Sequence, residues 1–465
     1  MLHVIEPGFQ TTVQDLGRPG LAEQGISPAG PMDAVALRLG NLIVGNGPDA
    51  AALEITLTGP TLRCDADTVV ALVGAPFDAH IEGEPVGSRQ PSTTGLPPWQ
   101  ATRIPRGSSL RIGPARAGMR GYLCVAGGVT VEPTLGSRAT HLMARLGGLD
   151  GRALQAGDTL PVGEPPRPLA DLVGRRLRRA LWPTYPQDAV ARAILGPQAD
   201  RFTDDARAAF LNQPYRVEMD SNRMGVRLAG PRLTHTRGAD LLSEGIGLGA
   251  IQVPNSGQPI ILMVERQTTG GYTKIATVIS ADIGVVGQAR PGSQLRFREV
   301  SLDEAVAARR AQEELVSESS IEAGPAWGPA EIAAVIETFA ASGLGEMRLH
   351  AGGVRLLLRR DSGTGAGETA EEASPRPDSH AHAPPGQVVI TAPLLGVFYA
   401  APTADAPPYV QPGDAVDKDA VVGLIDVMKT LHQVRAPRAG RVTAVLTESG
   451  ALVEYGQPLM TLEAE

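Results

Sequence analysis

A chain of 465 residues carries 42 basic and 50 acidic side chains, a net charge of −8 that argues against docking on nucleic acid or on an anionic membrane surface. Gly (55) and Pro (39) make up about a fifth of the chain and aromatics only 4%, a turn-rich profile that favours strands over a helical bundle. Two cysteines, Cys64 and Cys124, are too few for a disulfide framework or a thiolate metal cage and are expected as buried thiols.

The start, MLHVIEPGFQ, lacks the charged and apolar regions of a secretion signal, and no run of roughly 18 apolar residues occurs, so a cytoplasmic location is expected. From residue 1 to 299 the chain reads as short apolar runs broken by Gly and Pro, such as Thr68 to Gly74 and Pro259 to Val264, the pattern of a barrel or sandwich. A helix follows from Ser301, which caps it with Glu304 as its capping-box partner. A second amphipathic helix is predicted over 329–342, with Ile332, Val335, Ile336 and Phe339 at helical spacing, then a hairpin around Gly352-Gly353. The domains are therefore 1–299, a helical connector with helix and hairpin over 300–360, a linker over 361–386, and a last domain over 387–465. The linker has no apolar periodicity; its 26 residues, if flexible, span about 28 Å on average.

The last domain repeats itself. Ala392-Pro393-x-x-Gly396 returns 44 residues on as Ala436-Pro437-x-x-Gly440, and Gly413-x-x-Val416 returns 37 residues on as Gly450-x-x-Val453. The seven residues by which the two offsets differ fall in a loop over 400–408. Two equivalent β units related by a pseudo-twofold form a small flattened barrel. At their junction lies Asp426-Val427-Met428-Lys429-Thr430, with Lys429 expected at an exposed hairpin tip. Only three of the basic residues are lysine, Lys274, Lys418 and Lys429, which singles out positions where a guanidinium will not serve.

The Met428-Lys429 segment resembles the biotinyl-lysine motif of biotin carboxyl carrier domains, Met428 pointing to biotin over lipoate, and the extra loop resembles the thumb of the acetyl-CoA carboxylase carrier. The resemblance implies biotin, covalent on Lys429, and a biotin protein ligase to attach it.

In the first 299 residues, clusters around Gln14 and Arg18, Asn222 and Arg223, Gln252, Asn255 and Gln258, and Thr268-Thr269-Gly270-Gly271-Tyr272-Thr273-Lys274 stand out as polar and glycine-flanked. No phosphate-binding loop, dinucleotide fingerprint or zinc spacing is present, and no metal is expected. The residues themselves offer plausible chemistry. Glycines 270 and 271 let backbone amides approach an oxyanion; Tyr272 and Lys274 suit proton transfer or electrostatic stabilisation; Gln252, Asn255 and Gln258 carry neutral donors and acceptors for a small amide. Thr268 and Thr269 complete the oxyanion loop, and Gln14, Arg18, Asn222 and Arg223 are further substrate-binding candidates. Each also has an ordinary structural alternative: a β turn at 270–271, an ion pair at Lys274, loop anchoring by the others.

Together the clusters resemble the biotin-dependent carboxyltransferase family that includes allophanate hydrolase subunit 2, one of the subunits of 5-oxoprolinase, and urea amidolyase, over residues 3 to 298. Thr273 departs from its phrase, where proline is expected. The resemblance implies a mainly β fold of cyclophilin-like barrel lobes, with the C-terminal biotinyl/lipoyl flattened barrel of hammerhead type on a flexible linker. The implied activity is carboxyl transfer from carboxybiotin to a small amide or urea-like acceptor, with biotin carboxylase and an allophanate hydrolase subunit 1-like protein as partners. The alternatives are a subunit of an ATP-dependent 5-oxoprolinase-type enzyme and a non-catalytic carrier or regulatory protein.

Overall fold

The computed structural model describes residues 1–83, 92–323, 336, 339, 342, 346–351, 354–359, 387–392, 396–401, 407–427, 430–453 and 457–464. The chain divides into two compact units, Met1–Ala323 and Gly324–Glu465.

The run Thr68–Gly74 is buried along its whole length because its sheet is the middle of three layers. That sheet has the order Gln10–Gln14, Ala52–Thr56, Arg120–Val125, Thr68–Gly74, Thr102–Ile104. Alternation does the rest. Val70 and Leu72, with Leu53, Ile55 and Leu123, meet Leu62, Leu110 and Ile112 of a six-stranded sheet. Val69, Ala71 and Val73 turn the other way onto Leu37, Leu39 and Ile43 of the helix Ala34–Ile43. Each such apolar side chain stabilises the fold by about 1.5–3 kcal/mol when fully buried. Both cysteines are buried and free; burial pushes the Cys64 thiol up to about 11.

The second half of this unit is a closed barrel of seven strands, in the order Asp188–Leu195, Lys274–Val278, Ala250–Gln252, Ile260–Leu262, Gly225–Ala229, Tyr215–Val217, Gln294–Glu299. Its core includes Ile251, Ile261, Ile275 and Leu295, and Phe210 of the helix Asp204–Asn212 stacks on Phe297 at 4.5 Å. The two halves are locked by Gln288. Its Oε1 accepts the N–H groups of Met119 and Arg120, and its Nε2 donates to Asp33 Oδ2 and the Arg120 carbonyl, all at 2.9 Å. The helix Leu302–Leu315 carries the expected capping box and packs back on this unit, Ala305 and Ala308 against Ile279 and Val300.

In the second unit, Glu346–Ala351 and Val354–Arg359 pair as the expected hairpin. Of the predicted 329–342 helix only Ile336, Phe339 and Ser342 are described; the remainder, like the 361–386 linker and residues 402–406 of the extra loop, lies outside the described residues. The repeat becomes two four-stranded sheets. One has the order Gln387–Thr391, Pro458–Ala464, Gly440–Val445, Ala415–Val416, and the other Thr430–Arg435, Val421–Val427, Gly396–Tyr399, Leu452–Val453. The sequence offsets map each strand of one sheet onto the strand in the same place of the other, which is the predicted pseudo-twofold. Ile390, Phe398, Val422, Val442, Leu459 and Leu462 fill this domain's interior. Among the described residues no helix is long and apolar enough to cross a membrane.

Candidate functional site

After the barrel strand Ile260–Leu262 the chain runs through Thr269–Tyr272, which leaves the barrel wall and pairs with Asp240–Gly245 as a two-stranded ribbon. Glu244 is paired with Gly270 and Gly245 with Thr269, while the Thr268 carbonyl accepts from Ile246 N–H at 2.9 Å. Gly270 lets two side-chain ends come close: a Cβ there would press on Ile246 Cδ1 and lie 2.8 Å from Gln252 Nε2, so either side chain would have to shift. Thr273, standing where proline was expected, uses its N–H, which donates to the Ala239 carbonyl at 2.9 Å, and its hydroxyl meets His235 Nε2 at 2.9 Å. The ribbon thus hinges on a hydrogen bond that proline lacks.

One residue later the chain re-enters the barrel at Lys274. Its side chain is 8% exposed and its Nζ is ion-paired with Glu244, itself 43% exposed on the ribbon, and donates to the Tyr272 carbonyl at 3.3 Å. Gln198 braces the pair: its Oε1 accepts from Lys274 N–H at 3.2 Å and its Nε2 donates to Glu244 Oε1 at 3.0 Å. The hydrogen bond from Lys274 holds the Glu244 carboxyl below the usual range. Gln252 is directly paired with Lys274 across the barrel wall, so the two side chains project to the same side. Gln252 is 3% exposed; its Oε1 accepts from Gln267 Nε2 at 3.3 Å, and its own Nε2 has no partner.

The structure therefore brings together Lys274, Gln252 and the segment Thr268 to Tyr272, with Tyr272 exposed at the ribbon end. Asn255 touches the ribbon base, 3.5 Å from Asp240 Oδ2. Gln258 spends both ends of its amide on the Gly230 backbone, and Asn222 accepts from Met224 and Gly225 N–H in a local turn.

Arg223 and Arg18 lie elsewhere, Arg223 in a buried ionic network between the two halves of the first unit whose Glu265 also acts on Arg18, and Gln14 anchors a nearby loop. Arg223 pairs with Glu54 and with Glu265 at 2.5 Å and donates to the Gly30 carbonyl at 2.6 Å. Burial pulls its guanidinium pKa down, and the two carboxylates more than reverse that. Arg120 lies 3.7 Å from Glu54, whose other oxygen accepts from the Tyr122 hydroxyl and from Met32 N–H, at 2.8 Å each. Arg18 donates to the Thr134 and Ala139 carbonyls, and Gln14 to the Thr140 carbonyl at 3.0 Å. His141 accepts from Ala144 N–H at Nδ1, which leaves its proton on Nε2 to meet Ser27 Oγ at 2.7 Å.

The sequence reading missed Glu54, Glu265, Arg120, His141 and Gln198. A signal was available for two of them: Glu54 and Glu265 each interrupt or end a nearly continuous apolar run, and an acid in such a place is buried only with a cation to match.

In the second unit the strands Val421–Val427 and Thr430–Arg435 stay in register from Gly423 to Val427, which lies opposite Thr430, so two residues connect them. Those two, Met428 and Lys429, lie outside the described residues. Among the described residues no cluster of His, Cys, Asp or Glu could hold a metal ion.

The family model described as carboxyltransferase domain, subdomain A and B, matches residues 24–299, and that described as biotin-requiring enzyme matches residues 388–462. A 5-oxoprolinase subunit of Escherichia coli K12 is 41% identical over 315 residues, covering 67% of this chain and 96% of that protein. The biotin carboxyl carrier protein of acetyl-CoA carboxylase from Chlamydia muridarum is 42% identical over 73 residues, 16% of this chain and 45% of that protein. The crystal structure of the K. lactis urea amidolyase superposes with a TM-score of 0.62 at 26% identity, covering 77% of this chain and 25% of that one.

Proposed function

We propose that this chain, which belongs to the family of carboxyltransferase domains with subdomains A and B, transfers a carboxyl group from biotin held on Lys429 to a small amide or urea-like acceptor. The observation that carries the reading is the union, on one polypeptide, of a carboxyltransferase body with a two-sheet carrier in which a lysine falls in the two-residue connection. Biotin is the cofactor, and it supplies an activated, transferable carboxyl group.

The first unit's residues have the remaining work. Lys274 and the open N–H of Gln252 place positive charge and a donor on one face of the barrel wall, suited to negative charge developing on an oxygen. Tyr272 and the Gly270-Gly271 backbone border that place from the ribbon. A biotin carboxylase, an allophanate hydrolase subunit 1-like protein and a biotin protein ligase are the partners this reading requires.

Mass spectrometry of the chain made with ample biotin and ligase should show the biotinyl adduct, absent in Lys429→Arg. Reconstituted with carboxylase and partner, the wild type should lose labelled carboxyl only when an acceptor is present, and Lys274→Ala should lower that rate by about 10²- to 10³-fold. An unmodified Lys429 in the wild type overturns the carrier role, and full activity of Lys274→Ala overturns the role of that lysine.

A second reading has its own support in the 41% identity to the 5-oxoprolinase subunit. Under it the acceptor is a lactam amide and ATP is consumed in its opening. ATP hydrolysis that depends on 5-oxoproline and is indifferent to Lys429→Arg would select it.

A further inference from the structure

We infer that Lys274, Gln198 and Gln252 form a carboxylate-binding site on the barrel wall, and that Glu244 is its resident, displaceable occupant. The asymmetry of the ion pair points there. Lys274 sits at 8% exposure on a strand of the closed barrel, whereas Glu244 is 43% exposed on a ribbon of two strands whose register is irregular between Asp240 and Glu244. The neighbouring Leu242 on that ribbon is 93% exposed, so the strand that delivers Glu244 has little packing to hold it in place. The cation belongs to the barrel wall, and the anion comes from an exposed ribbon outside it. Were Glu244 to swing away, a nearly buried ammonium would be left without a counter-charge, a costly state that another anion relieves.

The groups around the ammonium define what that anion is. Gln198 Nε2 already donates to the Glu244 carboxylate at 3.0 Å, and the carbonyl end of that amide is held by Lys274 N–H. Gln252, directly paired with Lys274, has its carbonyl end engaged by Gln267 and offers an N–H with no partner. Three donors with one positive charge among them match the oxygens and single charge of a carboxylate, and disfavour a neutral amide. Glu244 is itself a carboxylate in this seat. The ligand class is therefore a small carboxylate, whether borne by the acceptor or by the carboxyl group in transit. Use of the site in turnover rests on the function proposed above; its binding property does not.

The test uses the full chain without biotin or partners and titrates ¹³C-labelled acetate by NMR relaxation, with acetamide as the neutral isostere. Removing the resident anion frees the seat, so Glu244→Gln should bind acetate about fivefold or more tightly than the wild type, with no gain for acetamide. Adding Lys274→Met to Glu244→Gln should return acetate to background. An affinity in Glu244→Gln no tighter than wild type overturns the inference, as does a double variant that keeps the gain. Because Glu244 is exposed, its variant tests the idea even if the lysine variant fails to fold. In the reconstituted system a lower KM for a carboxylate-bearing acceptor in Glu244→Gln assigns the seat to the acceptor, and faster acceptor-independent discharge of the carrier assigns it to the carboxyl group in transit. Acetate binding as expected, alongside full transfer activity of Lys274→Ala, leaves the site standing and removes the catalytic reading.

Discussion

Arg223 holds two buried carboxylates at once, Glu54 from the first half of the unit and Glu265 from the second. Its replacement by methionine leaves both acids without their shared cation, and breaking a buried pair in this way costs about 3–5 kcal/mol. Urea unfolding of Arg223→Met should show a loss of that size. His141, in the same neighbourhood, is kept neutral: burial lowers its pKa from the ordinary 6.5, with Glu265 opposing and Arg18 and Arg223 reinforcing the shift. A folded-state pKa below the unfolded value means that the unfolded chain binds the extra proton first. The stability His141 contributes is therefore complete above pH 6.5 and declines as the pH falls from there toward the folded pKa, by at most about 1.4 kcal/mol per pH unit. Between pH 7.5 and 5.5 the urea midpoint of the wild type should fall further than that of His141→Gln; equal falls would show that the imidazole is not the group responsible. Arg223 was visible in the sequence as a polar residue beside Asn222. Its role as a strut was not, because Glu54 lies 169 positions away.

The helix Leu302–Leu315 was legible to the residue at its start, since a cap is a local interaction among Ser301, Glu304 and their own backbone. Ser301→Ala should cost about 1 kcal/mol, read as faster amide exchange over 302–315 with little change elsewhere. Where this helix goes was not legible: it joins the first unit through Ala305 and through Arg38 with Glu313, a contact between distant segments. The hairpin of 346–359 and the repeat of the last domain were readable for the same reason as the cap. Turn residues and period-two alternation act over a few positions, and an internal repeat states its symmetry outright. The ribbon of Asp240–Gly245 with Thr269–Tyr272 was not readable, because neither short strand alternates apolar with polar residues to mark it.

The chain holds two compact units, and the proposed reaction needs them to meet repeatedly. Covalent connection makes that meeting intramolecular, which raises the effective concentration of one unit at the other to the order of mM. Cleavage within 361–386 by an inserted protease site should leave biotinylation intact and make carboxyl transfer depend on protein concentration. Recovery should come only as the two pieces approach mM levels, with the rate of labelled carboxyl release against dilution as the measurement.

The amino-acid sequence by itself determined the strand-rich class, the capped helix and the internal repeat. All of these are written in short-range patterns or in self-similarity, which need no knowledge of what lies across the core. Tertiary structure alone decided that Lys274 faces Glu244, that Gln252 keeps an unpaired donor beside it, and that Arg223 belongs to a strut rather than to the ribbon site. Buried charges find their partners through the packing of distant strands, and one residue's surroundings are then set by the register of others.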